Sequence, residues 1–406
     1  MKKKLLALAA ASMLLVPAVA GAEGFGIVEW SAEGVGMGGA RMFADNDPAM
    51  ISYNPAHITS IEKKAASFHV TSISPHGKFS ATDNTGMLNA VGFKNETDRS
   101  NRIAPGMVPG LYYAQKIDDK SAWGIGTFTR YGMISEFEKS SIFSISAYKS
   151  KMTGLSITPV YARKISNKFS AAVGAELNYV NLDVRNNAPI LKKMSGNMNV
   201  KGDTWAAGWN VAMEYNFDQK NQVGFVYRSK ISQNMQNANF VFGPIVGKAN
   251  GKVVLPDTYT IGYGHKFNDK TRVEVQAMRT NWHTYESFDI TTDVLGKIAS
   301  PKNWSDGWRY AIGLEHKFSN KYIGYLGYSY DQAGIPTSTA DFMIPTGNRR
   351  TYSIGCSYKD KKQMLTGTLA YMALGDKHMG SMEPLVTATS HNNYAKIWSI
   401  GYTRFF

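Results

Sequence analysis

Large apolar residues recur at every second position in many short stretches of this 406-residue chain, from about residue 65 onward. The clearest stretch is DTWAAGWNVAMEYNF, residues 203–217. Its apolar face carries Trp205, Ala207, Trp209, Val211, Met213, Tyr215 and Phe217. The opposite face carries small or polar residues, and RYAIGLEHKF, residues 309–318, repeats the pattern. A period of two is typical of a β-strand with one apolar and one polar face.

About 14 such stretches can be recognised along the chain. We predict strands near residues 65–75, 108–117, 121–131, 152–165, 169–183, 203–217, 222–230, 256–267, 271–281, 305–318, 321–331, 349–358, 363–373 and 394–406. No helical periodicity of comparable length competes with them. The pattern therefore predicts an all-β fold.

The links between these stretches alternate between short and long. Tight turns are expected at residues 118–120, 166–168, 218–221, 268–270, 319–320 and 359–362, with long links between them. Outer-membrane barrels sort their links in this way, with short periplasmic turns and long external loops. A closed sheet also satisfies every backbone group in lipid without leaving an edge. We therefore predict a 14-stranded antiparallel transmembrane β-barrel.

The first 22 residues are a predicted secretory signal peptide. Lysines at positions 2, 3 and 4 precede an apolar core at residues 5–16, and Ala20-Gly21-Ala22 fits a cleavage site made of small residues. We expect the mature chain to start at Glu23. No apolar run of about 18 residues follows, so we expect no membrane-spanning helix.

The net charge narrows the choice of binding partners, and the cysteine count excludes an internal disulfide. The formal net charge of +14 becomes +11 once the three lysines of the signal peptide are removed. In an exported protein this balance favours anionic lipid or carboxylate ligands over nucleic acid. Cys356 is the single cysteine, so no internal disulfide can form.

Residues 23–62 differ from the strands that follow them. Glycines at positions 24, 26, 34, 36, 38 and 39 and prolines at 48 and 55 are mixed with many large apolar side chains. The segment is too apolar for a free tail and too broken for a membrane-spanning strand. A lumen of this strand number is wider than its own side chains can fill. We therefore predict a signal peptide at 1–22, a plug or hatch at 23–62 and the barrel at 63–406.

The segment GFGIVEWSAEGVGMGGARMFADNDPAMISYNPAHIT resembles the N-terminal hatch of the FadL family of outer-membrane long-chain fatty-acid transporters. The shared features are an aromatic start at Phe25, a small-residue middle, an acidic step at Asp45 and Asp47, and Asn54-Pro55-Ala56. Further blocks in family order are VPGLYYAQKIDDKSAWGIGTF, LPDTYTIGYGHKFNDKTRVEVQAMRTNWHTYESF, KNWSDGWRYAIGLEHKFSNKY and YDQAGIPTSTADFMIPTGNRRTYSIGCSYK. The resemblance implies a hatched 14-stranded barrel, ligand capture at the external loops, an inner site against the hatch, and sideways exit through a kink in the third strand.

Candidate residues for these roles can be named. We expect Phe25, Asn54, Pro55 and Ala56 to hold or move the hatch, and the last three to fix a turn. The kink is expected in SAWGIGTFTRYG, where Gly124 and Gly126 are small enough to allow a local break. Candidate contacts for a carboxylate are Arg130, Arg228, Arg279 and Arg309. Each arginine could instead pair with a lumenal acid such as Glu176, Glu214, Glu274 or Glu315.

Two further sequence features concern the loops and the end of the chain. The stretches KKMSGNMNV, residues 192–200, and SMEPL could form an adaptable apolar landing surface, or they could be ordinary loops. Phe406 ends the last predicted strand with an aromatic residue. We expect the barrel-assembly machinery to read this residue as an assembly signal.

No catalytic set stands out, because the 8 histidines are scattered without metal-ligand spacing. We expect neither an enzyme nor a cofactor. The sequence predicts a monomeric outer-membrane protein of a Gram-negative bacterium, in contact with outer-membrane lipid and lipopolysaccharide but not nucleic acid. Its predicted function is uptake of long-chain fatty acids or similar hydrophobic molecules. The alternatives are an aromatic-hydrocarbon transporter of the same fold and a surface-exposed structural or adhesion barrel. A general diffusion porin is disfavoured, because an open aqueous pore needs no apolar plug.

Overall fold

The computed structural model describes residues 24–100, 105–187, 197–345 and 347–406, so the predicted signal peptide lies outside the described residues. It is a closed 14-strand antiparallel barrel, which confirms the predicted fold class. The barrel strands are β1 Lys64–Asp83, β2 Gly106–Lys116, β3 Ser121–Phe128, β4 Lys149–Lys164, β5 Phe169–Asn187, β6 Asn197–Asn216, β7 Asn221–Arg228, β8 Thr258–Lys266, β9 Thr271–Thr280, β10 Gly307–Lys317, β11 Tyr322–Asp331, β12 Arg349–Lys359, β13 Gln363–Leu374 and β14 Val386–Phe405.

Each strand pairs with the next, and the first and last strands pair with each other. Ala65 is opposite Ala114 in β2 on one side and opposite Phe405 in β14 on the other. The sheet is therefore closed and leaves no free edge, as a structure surrounded by lipid requires. Among the described residues, no helix is long and apolar enough to cross a membrane.

The two faces of the strands have the predicted chemistry. In β6, Trp205 and Trp209 are 46% and 52% exposed, whereas Asn210 and Glu214 are buried. Exposed aromatic side chains at every second position form an apolar outer surface. The polar residues between them face the interior, which confirms the alternation that predicted the barrel.

The long-loop end of the barrel contains more regular structure than the sequence pattern predicted. Short strands lie at Glu96–Ser100, Gly132–Glu136, Ile231–Phe242, Ile245–Leu255, Ile290–Thr292, Gly296–Ile298 and Lys377–His378. Short helices lie at Met87–Ala90, Ser144–Ala147, Trp282–Thr284, Thr337–Thr339 and Gly380–Met382. The predicted loop at 231–255 is thus a β-hairpin. Exposed positions such as Asn234 and Gln236 are polar, so the lipid-facing pattern is missing.

The N-terminal segment, defined here as residues 24–62, packs against inward-facing residues of the barrel. It contains the short helices Ala32–Gly36 and Met50–Tyr53 and the 3₁₀ helix Pro55–Ser60. Wall glycines allow its close approach. A Cβ atom at Gly264 would lie 2.6 Å from Phe43 Cδ2, and one at Gly327 would lie 2.0 Å from the amide nitrogen of Gly38.

Candidate functional site

An aromatic cluster surrounds the start of the N-terminal segment at the long-loop end. The ring centroid of Phe25 lies 4.8 Å from that of Trp282, 5.4 Å from Tyr285, 5.7 Å from Trp304 and 5.9 Å from Tyr131. Edge-to-face packing of this kind adds stabilisation to the burial of the rings. Phe25 is therefore the apolar anchor of the first residues of the segment.

The barrel wall is interrupted next to Phe25. β3 stops before residue 129, and the strand Gly132–Glu136 then resumes pairing with β4. At the interruption, the backbone of the N-terminal segment supplies the missing partner. The amide of Ile27 donates to the carbonyl of Arg130 at 2.8 Å, and the amide of Gly132 donates to the carbonyl of Phe25 at 2.8 Å. Residues 25–27 thus take part in the wall at this point.

The interruption lies beyond the position expected from the sequence. Gly124 and Gly126 stay paired with β2 and β4 on both sides. Their small size instead accommodates Ile51 of the N-terminal segment, because a Cβ atom would lie 2.7 Å from Ile51 at Gly124 and 2.9 Å at Gly126. The break is therefore at residues 129–131 and not at these two glycines.

Two of the four candidate arginines are held in buried ion pairs. Arg130 Nη1 lies 2.9 Å from Glu176 Oε2. Arg309 Nε lies 2.8 Å from Asp331 Oδ1, and its Nη2 also donates to the carbonyl of Gly38. Both guanidinium groups have protein carboxylates as partners, as the alternative reading of the sequence allowed.

The other two candidates have very different environments. Arg279 lies on the outward face with 44% of its side chain exposed, and it pairs with Asp306 at 2.7 Å. The structure therefore does not bring it together with the other three. Arg228 is buried, and its Nη2 donates to the carbonyls of Ile51 and Ser52 at 2.9 and 2.8 Å.

Arg228 has no carboxylate partner within 4.0 Å among the described residues, and its Nη1 has no hydrogen-bond partner there. Its guanidinium carbon lies 5.3 Å from the ring centroid of Phe128 and 6.0 Å from that of Trp30. Burying a charge without an opposite charge is costly. Arg228 is therefore the candidate with an unused donor for an incoming anion.

The space beside Arg228 is small in this conformation. A cavity of about 10 Å³ lies between the N-terminal segment and β7–β9, with Val28, Tyr53, Thr258 and Met278 in its lining. This volume holds roughly one water molecule. A larger ligand can reach Arg228 only if part of the segment moves.

The short-turn half of the interior contains a network of buried ion pairs. Arg41 of the N-terminal segment lies 2.9 Å from Asp47 and 3.6 Å from Glu315 of β10. Arg272 of β9 lies 2.8 Å from the same Glu315 and 3.2 Å from Glu274. Glu315 is therefore shared by a cation of the segment and a cation of the wall.

His57 extends this network to β6. Its Nδ1 lies 2.8 Å from Glu214 Oε2, and its Nε2 lies 3.2 Å from Asp45 Oδ1. Burial lowers the pKa of His57, but the two carboxylates outweigh burial and raise the pKa to about 10. His57 is therefore protonated at neutral pH and donates to both acids.

The predicted turn residues lie beside His57. The Asn54 side chain accepts from the amide of Ala56 at 3.2 Å, as expected of a residue that fixes a turn. Its amide group donates to the carbonyl of Met42 at 3.1 Å and to Glu214 at 3.0 Å. Pro55 starts the 3₁₀ helix that follows. These residues thus connect the turn of the segment to the barrel wall.

A larger cavity lies among the long loops. Its volume is about 540 Å³, and its apolar lining includes Val184, Phe288, Ile290, Met343 and Leu385. Met198 and Met382, from the two Met-containing stretches, also line it, while residues 192–196 lie outside the described residues. Lys302 borders the cavity with its Nζ 2.6 Å from Asp341.

Sequence reasoning missed the residues that connect the segment to the wall. Trp282, which packs on Phe25, lies between strands where no periodicity marks an inward position. Trp304 lies in the family block KNWSDGWRYAIGLEHKFSNKY, but the block does not indicate its contact with Phe25. Arg41 and Asp47 lie in the irregular segment, so their partners could not be inferred. The alternation along the strands predicts that Glu274 and Glu315 face inward, but it does not predict which cations they pair with.

Comparison with known proteins shows similarity along nearly the whole chain. A sequence model described as "Outer membrane protein transport protein (OMPP1/FadL/TodX)" matches residues 13–399. The long-chain fatty acid transport protein of Escherichia coli O6:H1 is 24% identical over 437 residues, which covers 97% of this chain and 96% of that protein. Outer membrane protein P1 of Haemophilus influenzae is 26% identical over 407 residues, with 88% and 87% covered.

Solved structures share the fold. A Pseudomonas aeruginosa FadL homologue superposes with a TM-score of 0.83 at 17% identity, covering 94% of this chain and 99% of that chain. The toluene transporter TodX of Pseudomonas putida superposes with a TM-score of 0.72 at 16% identity, again covering 94% and 99%.

Proposed function

Because the chain belongs to the OMPP1/FadL/TodX family of outer-membrane transport proteins for hydrophobic compounds, we propose that it takes up long-chain fatty acids and that its N-terminal segment is a movable hatch. The family consists of transport channels and not of enzymes. The observation that carries the proposal is Arg228, a buried guanidinium that has no carboxylate partner in the described part of the chain and lies beside an aromatic interior.

Capture begins in the cavity among the long loops. Its apolar lining and its 540 Å³ volume suit an alkyl tail, and each CH₂ group removed from water contributes about 0.8 kcal/mol. The methionines Met198 and Met382 can adapt their side chains to tails of different shape.

In the inner binding step, the protein binds the head group and the tail of the fatty acid at the same time. The carboxylate accepts from Nη1 of Arg228, and the tail takes the place of apolar contacts made by the first residues of the hatch. A charge-assisted hydrogen bond in a buried site contributes about 1.5–3 kcal/mol. A neutral hydrocarbon has no carboxylate to accept this hydrogen bond. The site therefore favours a carboxylic acid over a hydrocarbon of equal length.

Release occurs sideways, at the interrupted third strand. Residues 25–27 fill the wall there by two backbone hydrogen bonds. When a ligand displaces Phe25 from its aromatic cluster, these residues leave the wall and uncover residues 129–131. The tail can then pass from the interior into the surrounding lipid without crossing water.

A reversible cross-link tests this movement. Gly26 and Tyr131 are paired in antiparallel fashion between the two hydrogen bonds. In such a pair the two Cβ atoms lie within disulfide reach. We expect G26C/Y131C in a C356S background to stop [³H]oleate uptake by cells after oxidation and to regain it after reduction.

The control is G26C/C356S, which cannot form this bond and should transport equally under both conditions. If the cross-linked protein transports oleate as fast as the same protein after reduction of the disulfide, release through this gap is contradicted.

Aromatic hydrocarbons are the second candidate substrate. The aromatic cluster around Phe25 could receive a flat ring, and the structurally similar TodX is a toluene transporter. Oleate and toluene uptake measured in the same deletion strain, with and without this gene, distinguishes the two substrates. Restored toluene uptake without restored oleate uptake would reject the fatty-acid assignment.

A further inference from the structure

A separate polar cavity opens at the short-turn end of the barrel. Its volume is about 270 Å³, and it lies between the N-terminal segment and β8–β14. The turn residues Asn268, Asp269 and Lys270 form part of its rim. In an outer-membrane barrel this end faces the periplasm. The cavity is therefore distinct from the Arg228 site and from the loop cavity.

The rim of this cavity carries three lysines without a close carboxylate among the described residues. Lys270, Lys317 and Lys359 line it, and none has a carboxylate within 4.0 Å in the described part of the chain. Two of them are neighbours, because the amide of Lys317 donates to the carbonyl of Lys270 at 2.8 Å. An anion bound between the lysines would reduce the repulsion among the like charges of the rim.

Three of the four carboxylates that line the cavity pair with other cations, and the fourth, Asp269, lies on the rim beside Lys270. Asp47 pairs with Arg41, Asp45 pairs with His57 and Lys266, and Glu315 pairs with Arg41 and Arg272. The lining thus holds six lysine and arginine cations and four carboxylates, an excess of two positive charges.

A guanidinium and an apolar side complete the lining of the cavity. Arg272 lies in the wall with 10% of its side chain exposed, and its Nη1 and Nη2 pair with Glu274 and Glu315. Ile323, Met364 and Phe405 form the apolar side, and Lys359 Nζ lies 5.2 Å from the Phe405 ring centroid.

We propose that this cavity binds the anionic oxygen head group of an amphiphile, a phosphate or a carboxylate, at the periplasmic mouth of the barrel. The lysines bind the oxygens, and the apolar side receives the first carbons of the tail. A phospholipid and a free fatty acid share this chemistry. The site does not depend on the fatty-acid uptake proposed above, because it uses none of the same residues.

Calorimetric titration of the full-length protein in an uncharged detergent tests the site. The probes are dihexanoylphosphatidylglycerol, dihexanoylphosphatidylcholine, decanoate and inorganic phosphate. We expect saturable binding of an anionic amphiphile that weakens at least tenfold in K270Q/K317Q/K359Q. The control K164Q/K168Q/K220Q removes the same charge from other short turns of the same rim and should bind normally. If dihexanoylphosphatidylglycerol binds and decanoate does not, the ligand is a phospholipid. If decanoate binds and dihexanoylphosphatidylglycerol does not, the ligand is a fatty acid.

Several outcomes would overturn the proposal. They are no binding of either anionic amphiphile, equal binding of the choline lipid, binding of inorganic phosphate alone, and an equal loss in the control variant. Unheated gel electrophoresis establishes that each variant keeps a folded barrel. If the triple variant does not fold, K317Q alone is titrated, and an unchanged affinity for the amphiphile rejects the site.

Discussion

The two ends of the N-terminal segment are held by different forces. At the long-loop end, the Phe25 side chain packs among aromatic rings. At the short-turn end, Arg41 and His57 form ion pairs with Glu315 and Glu214 of the wall. Apolar contacts are not directional, so an acyl tail can replace them at similar free energy. Buried ion pairs need particular partners and are costly to separate.

This difference bears on the hatch movement proposed above. Under that proposal, the ionic end is the anchor and the aromatic end exchanges its contacts with a ligand. Residues 25–27, which fill the gap in the third strand, belong to the exchangeable end. The predictions below test this division, beginning with the anchor.

Removing the shared carboxylate should have the largest effect. Glu315→Leu removes the partner that Arg41 and Arg272 share and leaves each with one carboxylate, Asp47 or Glu274, so we expect a cost near the lower end of the range of about 3–5 kcal/mol for breaking a buried pair. We expect a lower urea midpoint for unfolding and higher ion conductance in planar bilayers, because the anchored end is loosened. The control is Glu383→Leu, which breaks an exposed pair with His378 and should cost about 0–1 kcal/mol. Equal behaviour of the two variants would refute the ionic anchor.

Phe25→Ala should loosen the opposite end only. Loss of a buried phenyl ring costs about 3 kcal/mol, which corresponds to roughly 100-fold faster local hydrogen exchange. We expect the amides of Ile27 and Gly132 to lose protection, while the amide of Asn54 keeps it. Mass spectrometry of exchanged peptides measures this, with the outward-facing Phe68→Ala as control. Uniform loss of protection along residues 24–62 would show that the two ends are not independent.

Arg228→Met tests the head-group contact between the two ends. Loss of a charge-assisted hydrogen bond should weaken oleate binding about 10- to 100-fold, with little change for toluene. The measurement is competition with a fluorescent fatty acid for oleate, and cell uptake for toluene. Arg279→Met is the control, because that side chain faces outward and pairs with Asp306. Equal losses for oleate and toluene would mean that Arg228 acts only through the structure of the site.

How far the sequence predicts these features depends on what constrains each residue. Lipid requires an apolar outer face. Alternation of the kind seen around Trp205 and Trp209 therefore predicts where each strand lies, which of its faces points outward and, over the whole chain, how many strands there are. The hairpin Ile231–Phe242 to Ile245–Leu255 has polar exposed positions, so no such alternation marked it. The same alternation could have excluded Arg279 as a contact inside the barrel, because it lies an even number of positions from the outward-facing Val275 in the same strand.

The partners inside the barrel could not be predicted in the same way. Arg130 and Arg228 both lie at inward-facing positions. Arg130 has Glu176 at 2.9 Å, whereas Arg228 has only backbone carbonyls as acceptors among the residues that the structure describes. That difference depends on how the irregular segment folds within the barrel. Its glycines and short helices have no period that would fix which of its residues meets which strand.

The pH response of His57 is the smallest effect and again separates the two ends. Asp45 and Glu214 face it, with Lys266 beside Asp45, and the pKa of His57 is raised to about 10 from an ordinary value of 6.5. A raised pKa means that the stabilisation is fully present below pH 6.5 and is lost as the pH rises toward 10. We expect a loss of about 1 kcal/mol between pH 7 and pH 8, seen as a lower urea midpoint. His57→Gln should flatten this slope, and His265→Gln, at the short-turn rim outside the anchor, should not. Protection of the Ile27 amide should stay constant across the same range, because no titrating group of the anchor reaches the aromatic end. A parallel loss of protection there would mean that the anchor and the gap open together.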